Sequence, residues 1–171
     1  KLVANLLVSA GADRILALDL HAGQIQGFFD VPVDHLFSIN VLSKYFLKKR
    51  LKNLAVVSPD VGGLKLARAY SKLLDAPLAI VDKRRESATQ TRVMNIMGEV
   101  RNRNVVLVDD LISTGSSLIE AVHALKKAGC LDVYAAIVHP ILAGPAIERV
   151  KKSQLKELVV SDSISIPRGR K

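Results

Sequence analysis

Hydrophobic positions in this chain follow two spacings, which predict strands and helices in alternation. Short, nearly continuous apolar runs are typical of buried strands, whereas apolar residues recurring every three or four positions are typical of helices packed on one side. The predicted strands cover residues 15–20, 54–58, 78–81, 93–97, 105–108, 133–138 and 158–160. The predicted helices cover residues 2–10, 39–51, 64–74 and 118–125.

This alternation predicts an α/β fold, a parallel sheet with helices on both of its faces. The first predicted strand, 15–20, needs further strands to bury it, so the chain is expected to begin inside a domain and to lack an upstream part. No apolar run approaches the roughly 20 residues of a membrane span, and the first residues lack the layout of a signal peptide. We therefore expect a cytoplasmic protein that does not enter a membrane.

The charge balance changes this picture only slightly. A net charge of +9 is compatible with nucleic-acid binding, but five of the 25 basic residues cluster on the amphipathic segment 44–52, which is typical of a solvated helix face. The chain has no Trp to stack on bases. We therefore expect small phosphorylated substrates rather than nucleic acid. The single cysteine, Cys130, is expected to be a small buried residue.

The segment 105–118, VVLVDDLISTGSSL, carries the clearest candidate chemistry. A buried strand ends in Asp109 and Asp110, and the small residues 113–117 then lead into a helix. Ligands of α/β sheets bind beyond the carboxyl ends of strands, and the N–H groups at a helix start suit a phosphate. The two acids could accept hydrogen bonds from sugar hydroxyls, so the segment predicts a sugar phosphate site. The alternative is an ordinary helix cap beside ordinary turn acids.

Several stretches also resemble a known family. The segment 105–118 resembles the phosphoribosyl diphosphate binding loop of the phosphoribosyltransferase superfamily. DLHAGQIQGFFDVPVDHL, at 19–36, resembles the ribose-phosphate diphosphokinase family within it, as do SPDVGG at 58–63 and HPILAGPAIERV at 139–150. The resemblance implies a phosphoribosyltransferase-like fold. Residues 1–37 would be the end of one such domain, and residues 38–171 a second domain that carries the ribose 5-phosphate loop.

The resemblance also implies an activity and a role for particular residues. The family transfers the diphosphoryl group of ATP to the anomeric hydroxyl of ribose 5-phosphate, giving phosphoribosyl diphosphate and AMP. It implies Mg²⁺ as cofactor, a homo-oligomer (hexamers built from dimers in the family), and a chain that is inactive alone if it lacks its upstream part. The implied site residues are Lys83 and Arg85 for catalysis, His21 and Asp60 for the metal, and Asp109, Asp110, Ser113, Thr114, Gly115, Ser116 and Ser117 for ribose 5-phosphate.

The candidate catalytic residues lie in DKRRESATQTR, residues 82–92, where no apolar side chain anchors the chain. Such a polar segment is expected to be a mobile loop, and the family has a flexible catalytic loop here. Without the resemblance, a basic triplet in a loop is usually solvated surface.

This chain departs from the family pattern in the phosphate loop. The family usually has Asp at position 113 and a Gly-Thr pair at 116 and 117, where this chain has serines. A side chain at Ser116 could crowd the approach of the backbone to a phosphate. Three alternatives therefore stay open: a phosphoribosyltransferase that consumes phosphoribosyl diphosphate, a non-catalytic regulatory homologue, and a nucleic-acid-binding regulator.

Overall fold

The computed structural model describes residues 1–84 and 93–166, and only the backbone at 83, 84, 93 and 94. The chain divides into two compact units, Lys1–Asn40 and Val41–Lys171. This boundary lies near the predicted division after residue 37. The assignment of the units to two phosphoribosyltransferase-like domains stays a prediction.

The first unit contains α1 (Leu2–Ser9), β1 (Ile15–Leu18), a 3₁₀ helix (Gly23–Phe28) and β2 (Val33–Leu36). Strands β1 and β2 pair in parallel, with Ile15 opposite Val33. The apolar spacing predicted no strand between residues 21 and 53, whereas the structure has β2 at the end of the 19–36 stretch. Strand β2 was missed because Pro32, Asp34 and His35 interrupt any apolar alternation, and its pairing with β1 is visible only in three dimensions.

The second unit is a six-stranded sheet with flanking helices, and α2 leads into it. Its elements are α2 (Ile39–Lys49), β3 (Leu54–Ser58), α3 (Leu64–Leu73), β4 (Leu78–Arg84), β5 (Val93–Met97), β6 (Asn104–Ile112), α4 (Ser116–Lys127), β7 (Val133–Pro140), α5 (Ala146–Lys152) and β8 (Leu155–Val160). The strand order is β5-β4-β3-β6-β7-β8. All neighbours pair in parallel except β5, which runs antiparallel to β4 at one edge. The predicted α/β class is confirmed, with a mixed rather than wholly parallel sheet.

Helices cover both faces of this sheet. On one face, Val105, Leu107 and Ala135 belong to the same buried cluster as Val122 and Leu125 of α4. Tyr134 points to the opposite face, because side chains alternate along a strand. There the ring of Phe46, from α2, lies with its centroid 6.4 Å from that of Tyr134. Burial on both faces explains why the central strands consist almost wholly of apolar residues.

Two strands are longer than the apolar runs that predicted them. Strand β6 continues through Asp109 and Asp110 to Ile112, so the acids lie within the strand rather than in the loop after it. Strand β4 continues through Lys83 to Arg84 because β5 pairs with it, and the predicted loop therefore cannot begin at Asp82.

None of the helices within residues 1–84 and 93–166 combines the length and the apolar character that a membrane-spanning segment needs.

Candidate functional site

Three carboxylates lie at the carboxyl edge of two neighbouring strands. Strand β3 pairs in parallel with β6, with Val57 opposite Leu107, so Asp60 and the pair Asp109 and Asp110 follow at the same edge of the sheet. Strand β4 is the other neighbour of β3 and reaches this edge too. The fold therefore brings together residues that are far apart in the sequence, at the place where α/β sheets bind ligands.

The carboxylate of Asp109 is perturbed by its burial. Burial is the main cause that raises its pKa to about 7, and the negative charges of Asp110 and Asp60 raise it further. A hydrogen bond from the backbone N–H of Asp110 to Asp109 Oδ1, 2.9 Å long, acts in the opposite direction and is outweighed. A partly buried acid that retains its proton near neutrality is typical of a functional site rather than of a structural turn.

Asp60 is positioned by the turn that follows β3. Its Oδ1 accepts a hydrogen bond of 3.0 Å from the backbone N–H of Gly63, and its carbonyl accepts one of 2.7 Å from the hydroxyl of Ser58. Ser58 is fully buried, whereas Asp60 is exposed. The turn therefore presents an exposed carboxylate from a rigid support.

The candidate phosphate loop, residues 113–117, joins β6 to α4. Gly115 has a φ of +76°, a left-handed conformation that glycine adopts at little cost, and it is the residue before the helix. The first helical bond runs from Ile119 N to Gly115 O at 3.0 Å, so the N–H groups of Ser116, Ser117 and Leu118 have no partner one turn earlier. These are the groups that bind phosphate at the start of a helix.

The backbone at the start of this loop is hydrogen-bonded to the segment that follows β7. The N–H of Leu142 donates to Ile112 O at 3.1 Å, and the N–H of Ala143 donates to Ser113 O at 3.0 Å. From α5, Arg149 Nη1 donates to Thr114 O at 2.9 Å and to Ser116 Oγ at 2.7 Å. The sequence interpretation missed Arg149, because its contacts cross more than thirty positions.

The candidate metal residue His21 is exposed and follows β1 in the first unit. The residue before it is anchored, since the N–H of Leu20 donates to His35 Nε2 at 2.9 Å. His35 Nδ1 lies 3.2 Å from Gln26 Nε2. His35 is therefore a second residue that the sequence interpretation missed. Asp60, the other candidate ligand, belongs to the second unit, and within the described ranges no three His, Cys, Asp or Glu residues form a metal-binding cluster.

The structure places the two candidate catalytic residues only in part. The backbone of Lys83 lies near the end of β4 and pairs with Met94 of β5. Arg85 lies outside the described residues.

Comparisons with known proteins identify the family of the chain. Residues 37–167 match the model of the phosphoribosyl transferase domain family. A curated relative, the ribose-phosphate pyrophosphokinase of Bacillus caldolyticus, is 51% identical over 171 residues, covering 100% of this chain and 54% of the relative.

Solved structures with a similar fold include a synthetase and a transferase. The phosphoribosylpyrophosphate synthetase of Mycobacterium smegmatis is 37% identical with a TM-score of 0.91, covering 99% of this chain and 55% of that one. The orotate phosphoribosyltransferase of Aeropyrum pernix is 24% identical with a TM-score of 0.57, covering 72% of this chain and 71% of that one, which shows a shared fold alone. This chain spans about half the length of the curated relative it matches.

Proposed function

Because the chain belongs to the phosphoribosyl transferase domain family, we propose that it forms the ribose 5-phosphate-binding part of a ribose-phosphate diphosphokinase, an enzyme also called a pyrophosphokinase. The observation that carries this proposal is the 51% identity to such an enzyme over all 171 residues. The sheet-edge site supports it, because an acid pair beside a helix-start loop suits a sugar that bears a phosphate.

The proposed reaction joins ATP to ribose 5-phosphate. The anomeric hydroxyl attacks the β-phosphorus of ATP, the bond from that phosphorus to the oxygen on the α-phosphate breaks, and AMP leaves. The hydroxyl proton passes to water, and the product is phosphoribosyl diphosphate. Transfer of this kind depends mainly on positioning and on cancelling negative charge at the transferred group.

The described residues would supply the positioning. Asp109 and Asp110 would accept hydrogen bonds from the ribose hydroxyls. The amides of 113–117, with the loop hydroxyls other than that of Ser116, which is bonded to Arg149, would hold the 5-phosphate. Since β6 and α4 are both packed in the core, a sugar fixed between them would present its anomeric oxygen in one orientation.

Magnesium is the proposed cofactor, with His21 and Asp60 as its protein ligands. The carboxylate of Asp60 fits this ion, because Mg²⁺ prefers oxygen ligands and the negative charges of Asp60 and Asp110 already act on Asp109 at this edge. The imidazole of His21 is not a preferred Mg²⁺ donor, and its assignment follows from the resemblance to the family alone. When bound with the nucleotide, the ion would cancel charge on the phosphates. Asp60→Asn should weaken the magnesium dependence of the rate. If His21→Ala leaves that dependence unchanged, His21 is not a ligand.

Lys83 and Arg85 are proposed as the catalytic cations. Strand β4 ends beside β3, so the backbone delivers Lys83 to the same sheet edge as Asp60. A homo-oligomer remains a proposal that follows from the resemblance to the family. A cytoplasmic location remains a proposal that follows from the apolar pattern of the sequence.

A phosphoribosyltransferase that consumes phosphoribosyl diphosphate is the main alternative. It would explain the phosphate loop, and one such enzyme shares the fold at a TM-score of 0.57. The synthetase from Mycobacterium smegmatis superposes over 99% of this chain at a TM-score of 0.91, which favours the diphosphokinase. A non-catalytic homologue and a nucleic-acid-binding regulator are not favoured by any observation at the site.

The test is an assay of the complete native protein with two substrate pairs. With ATP, Mg²⁺ and ribose 5-phosphate, we expect equal amounts of AMP and phosphoribosyl diphosphate. With phosphoribosyl diphosphate and a panel of nucleobases, we expect no nucleotide. Nucleotide formation in the second assay without AMP release in the first would support the transferase and contradict our proposal.

A further inference from the structure

One side chain bridges two positions of the candidate phosphate loop. Arg149 Nη1 donates to the carbonyl of Thr114 at 2.9 Å and to the hydroxyl of Ser116 at 2.7 Å. Arg149 is exposed and lies on α5, whose first residue, Ala146, is buried against the loop at Gly115. The arginine therefore extends an existing contact between α5 and the loop.

Three consecutive carbonyls at the start of the loop accept hydrogen bonds from the 142–149 segment. Those of Ile112 and Ser113 accept hydrogen bonds from the backbone of Leu142 and Ala143, and that of Thr114 accepts from Arg149. In a trans peptide the N–H points away from the C=O of the same unit. Holding these carbonyls towards the 142–149 segment therefore turns the N–H groups of Ser113, Thr114 and Gly115 to the opposite side of the loop.

The contact with Ser116 accounts for a departure from the family pattern. The family usually has glycine at this position, and a side chain could crowd the phosphate. Here the Ser116 hydroxyl is bonded to Arg149 and lies 3.3 Å from Thr114 Oγ1. It is thereby held on the side of the loop that faces α5.

We propose that Arg149 is a positioning residue for the ribose 5-phosphate loop. It acts through Thr114 and Ser116 and not by touching the substrate. This inference rests on the function proposed above and deepens it. An exposed ion pair usually contributes little, but this guanidinium bonds two neutral loop atoms whose orientation sets the shape of the site.

The experiment is a double-mutant cycle in the complete native protein, with Arg149→Ala, Ser116→Ala and the double variant. Each variant is measured for kcat, for KM of both substrates, and for ribose 5-phosphate affinity by calorimetry. For Arg149→Ala we expect KM and Kd for ribose 5-phosphate to rise about tenfold, while kcat and the KM for ATP stay within about twofold. The melting temperature should change little because the side chain is exposed.

Coupling between the two positions is the decisive result. If Arg149 acts partly through Ser116, Ser116→Ala alone should weaken ribose 5-phosphate binding, and the double variant should lose less binding free energy than the sum of the two single losses. Lys152→Ala is the matched control, because it removes a positive charge from the same helix and the same cleft between α4 and α5. It should leave ribose 5-phosphate affinity unchanged.

Three outcomes would overturn the proposal: additive effects at 149 and 116, an equal loss in Lys152→Ala, or a loss in Arg149→Ala confined to kcat or to the melting temperature. A protein that binds ribose 5-phosphate but releases no AMP would contradict the proposed reaction instead. The calorimetric cycle would still decide the role of Arg149.

Discussion

Asp60 Oδ1 accepts a hydrogen bond of 3.0 Å from the backbone N–H of Gly63, and this bond fixes the turn that presents the Asp60 carboxylate. A side chain at Gly63 would clash with Ser58, since a Cβ atom there would lie 2.7 Å from Ser58 Oγ. That hydroxyl itself donates to the Asp60 carbonyl. The conformation of the turn at Asp60 therefore depends on one connected set of contacts between Ser58, Asp60 and Gly63.

We predict that Gly63→Ala moves this turn. The clash should cost about 1 to 3 kcal/mol of stability, the usual range for overpacking, and should weaken the magnesium dependence of the rate. Gly27→Ala is the control, because a Cβ atom there meets nothing within 4 Å. Thermal denaturation and magnesium titration of both variants check the prediction. Equal behaviour of the two variants would show that the turn adapts and does not constrain Asp60.

The raised pKa of Asp109 predicts a dependence of stability on pH. In the unfolded chain this acid ionises near pH 3.8, whereas in the folded protein burial keeps its proton up to about pH 7. The folded state binds more protons in that window, so the free energy of unfolding should fall as the pH rises from about 4 to about 7. Asp109→Asn should remove this slope.

At pH 8 we expect Asp109→Asn to be more stable than the parent by at least about 1 kcal/mol, while binding ribose 5-phosphate more weakly. Urea denaturation at pH 5 and pH 8 measures the first effect and calorimetry the second. Asp13→Asn, at an exposed position, is the control. If Asp109→Asn is less stable than the parent at pH 8, charge at this position does not oppose folding.

The site illustrates what the sequence alone could and could not predict. The strand before Asp109 and the helix after Gly115 follow from apolar spacing, and both are confirmed. The position of the acids inside β6 could not be predicted, because it results from pairing with β7, which continues to Ile112 opposite Pro140. Strand pairing of this kind is long-range and leaves no local signal in the residues around the acids.

The same limit explains the other differences. Polar residues 82–84 favoured a loop, but hydrogen bonding to β5 makes them strand. Arg149 and His35 gave no signal either, since their partners, Thr114 and Leu20, lie far along the chain. Sequence spacing therefore located the acids and the loop, whereas the residues that hold them in place required the structure.

A partly exposed charge cluster links α2 to the edge strand β8 and gives a prediction about stability. Lys49 Nζ lies 2.6 Å from Glu157 Oε2 and 5.3 Å from the centroid of the Tyr134 ring, and the Tyr45 hydroxyl donates to Glu157 Oε1. Burial alone would raise the pKa of Glu157, but the hydrogen bonds from Lys49 and Tyr45 outweigh it and leave the pKa lowered.

Glu157→Gln should therefore lower the stability at pH 7 by about 0.5 to 1 kcal/mol. A carboxylate with a lowered pKa stabilises above its unfolded value of 4.5, so the difference between parent and variant should shrink as the pH falls below it. Glu148→Gln is the control, because Glu148 is 76% exposed and lies 3.8 Å from Lys152. Denaturation curves at pH 7 and pH 4 would contradict the assignment if both variants lost the same stability.

The proposed catalytic role of Lys83 makes the sharpest kinetic prediction. Its backbone pairs with β5 at the end of β4, so the strand, and not a free loop, delivers this residue to the sheet edge. The proposed reaction needs positive charge mainly as the diphosphoryl group moves. Removing an interaction made chiefly in the transition state lowers kcat and kcat/KM together, and a charged contact of this kind typically contributes about 3 kcal/mol, roughly a hundredfold in rate.

Lys83→Ala in the complete native protein should therefore reduce kcat at least about a hundredfold, with the melting temperature nearly unchanged, because the backbone pairing that places the residue does not need its side chain. Lys44→Ala, at an exposed position of α2, is the control for loss of a lysine and should turn over normally. Steady-state measurement of AMP release decides between the outcomes. A loss confined to KM would mean that Lys83 contributes to substrate binding in the ground state. Normal turnover would mean that Lys83 lies on the solvated surface, and the cation needed in the transition state would then have to come from another part of the enzyme.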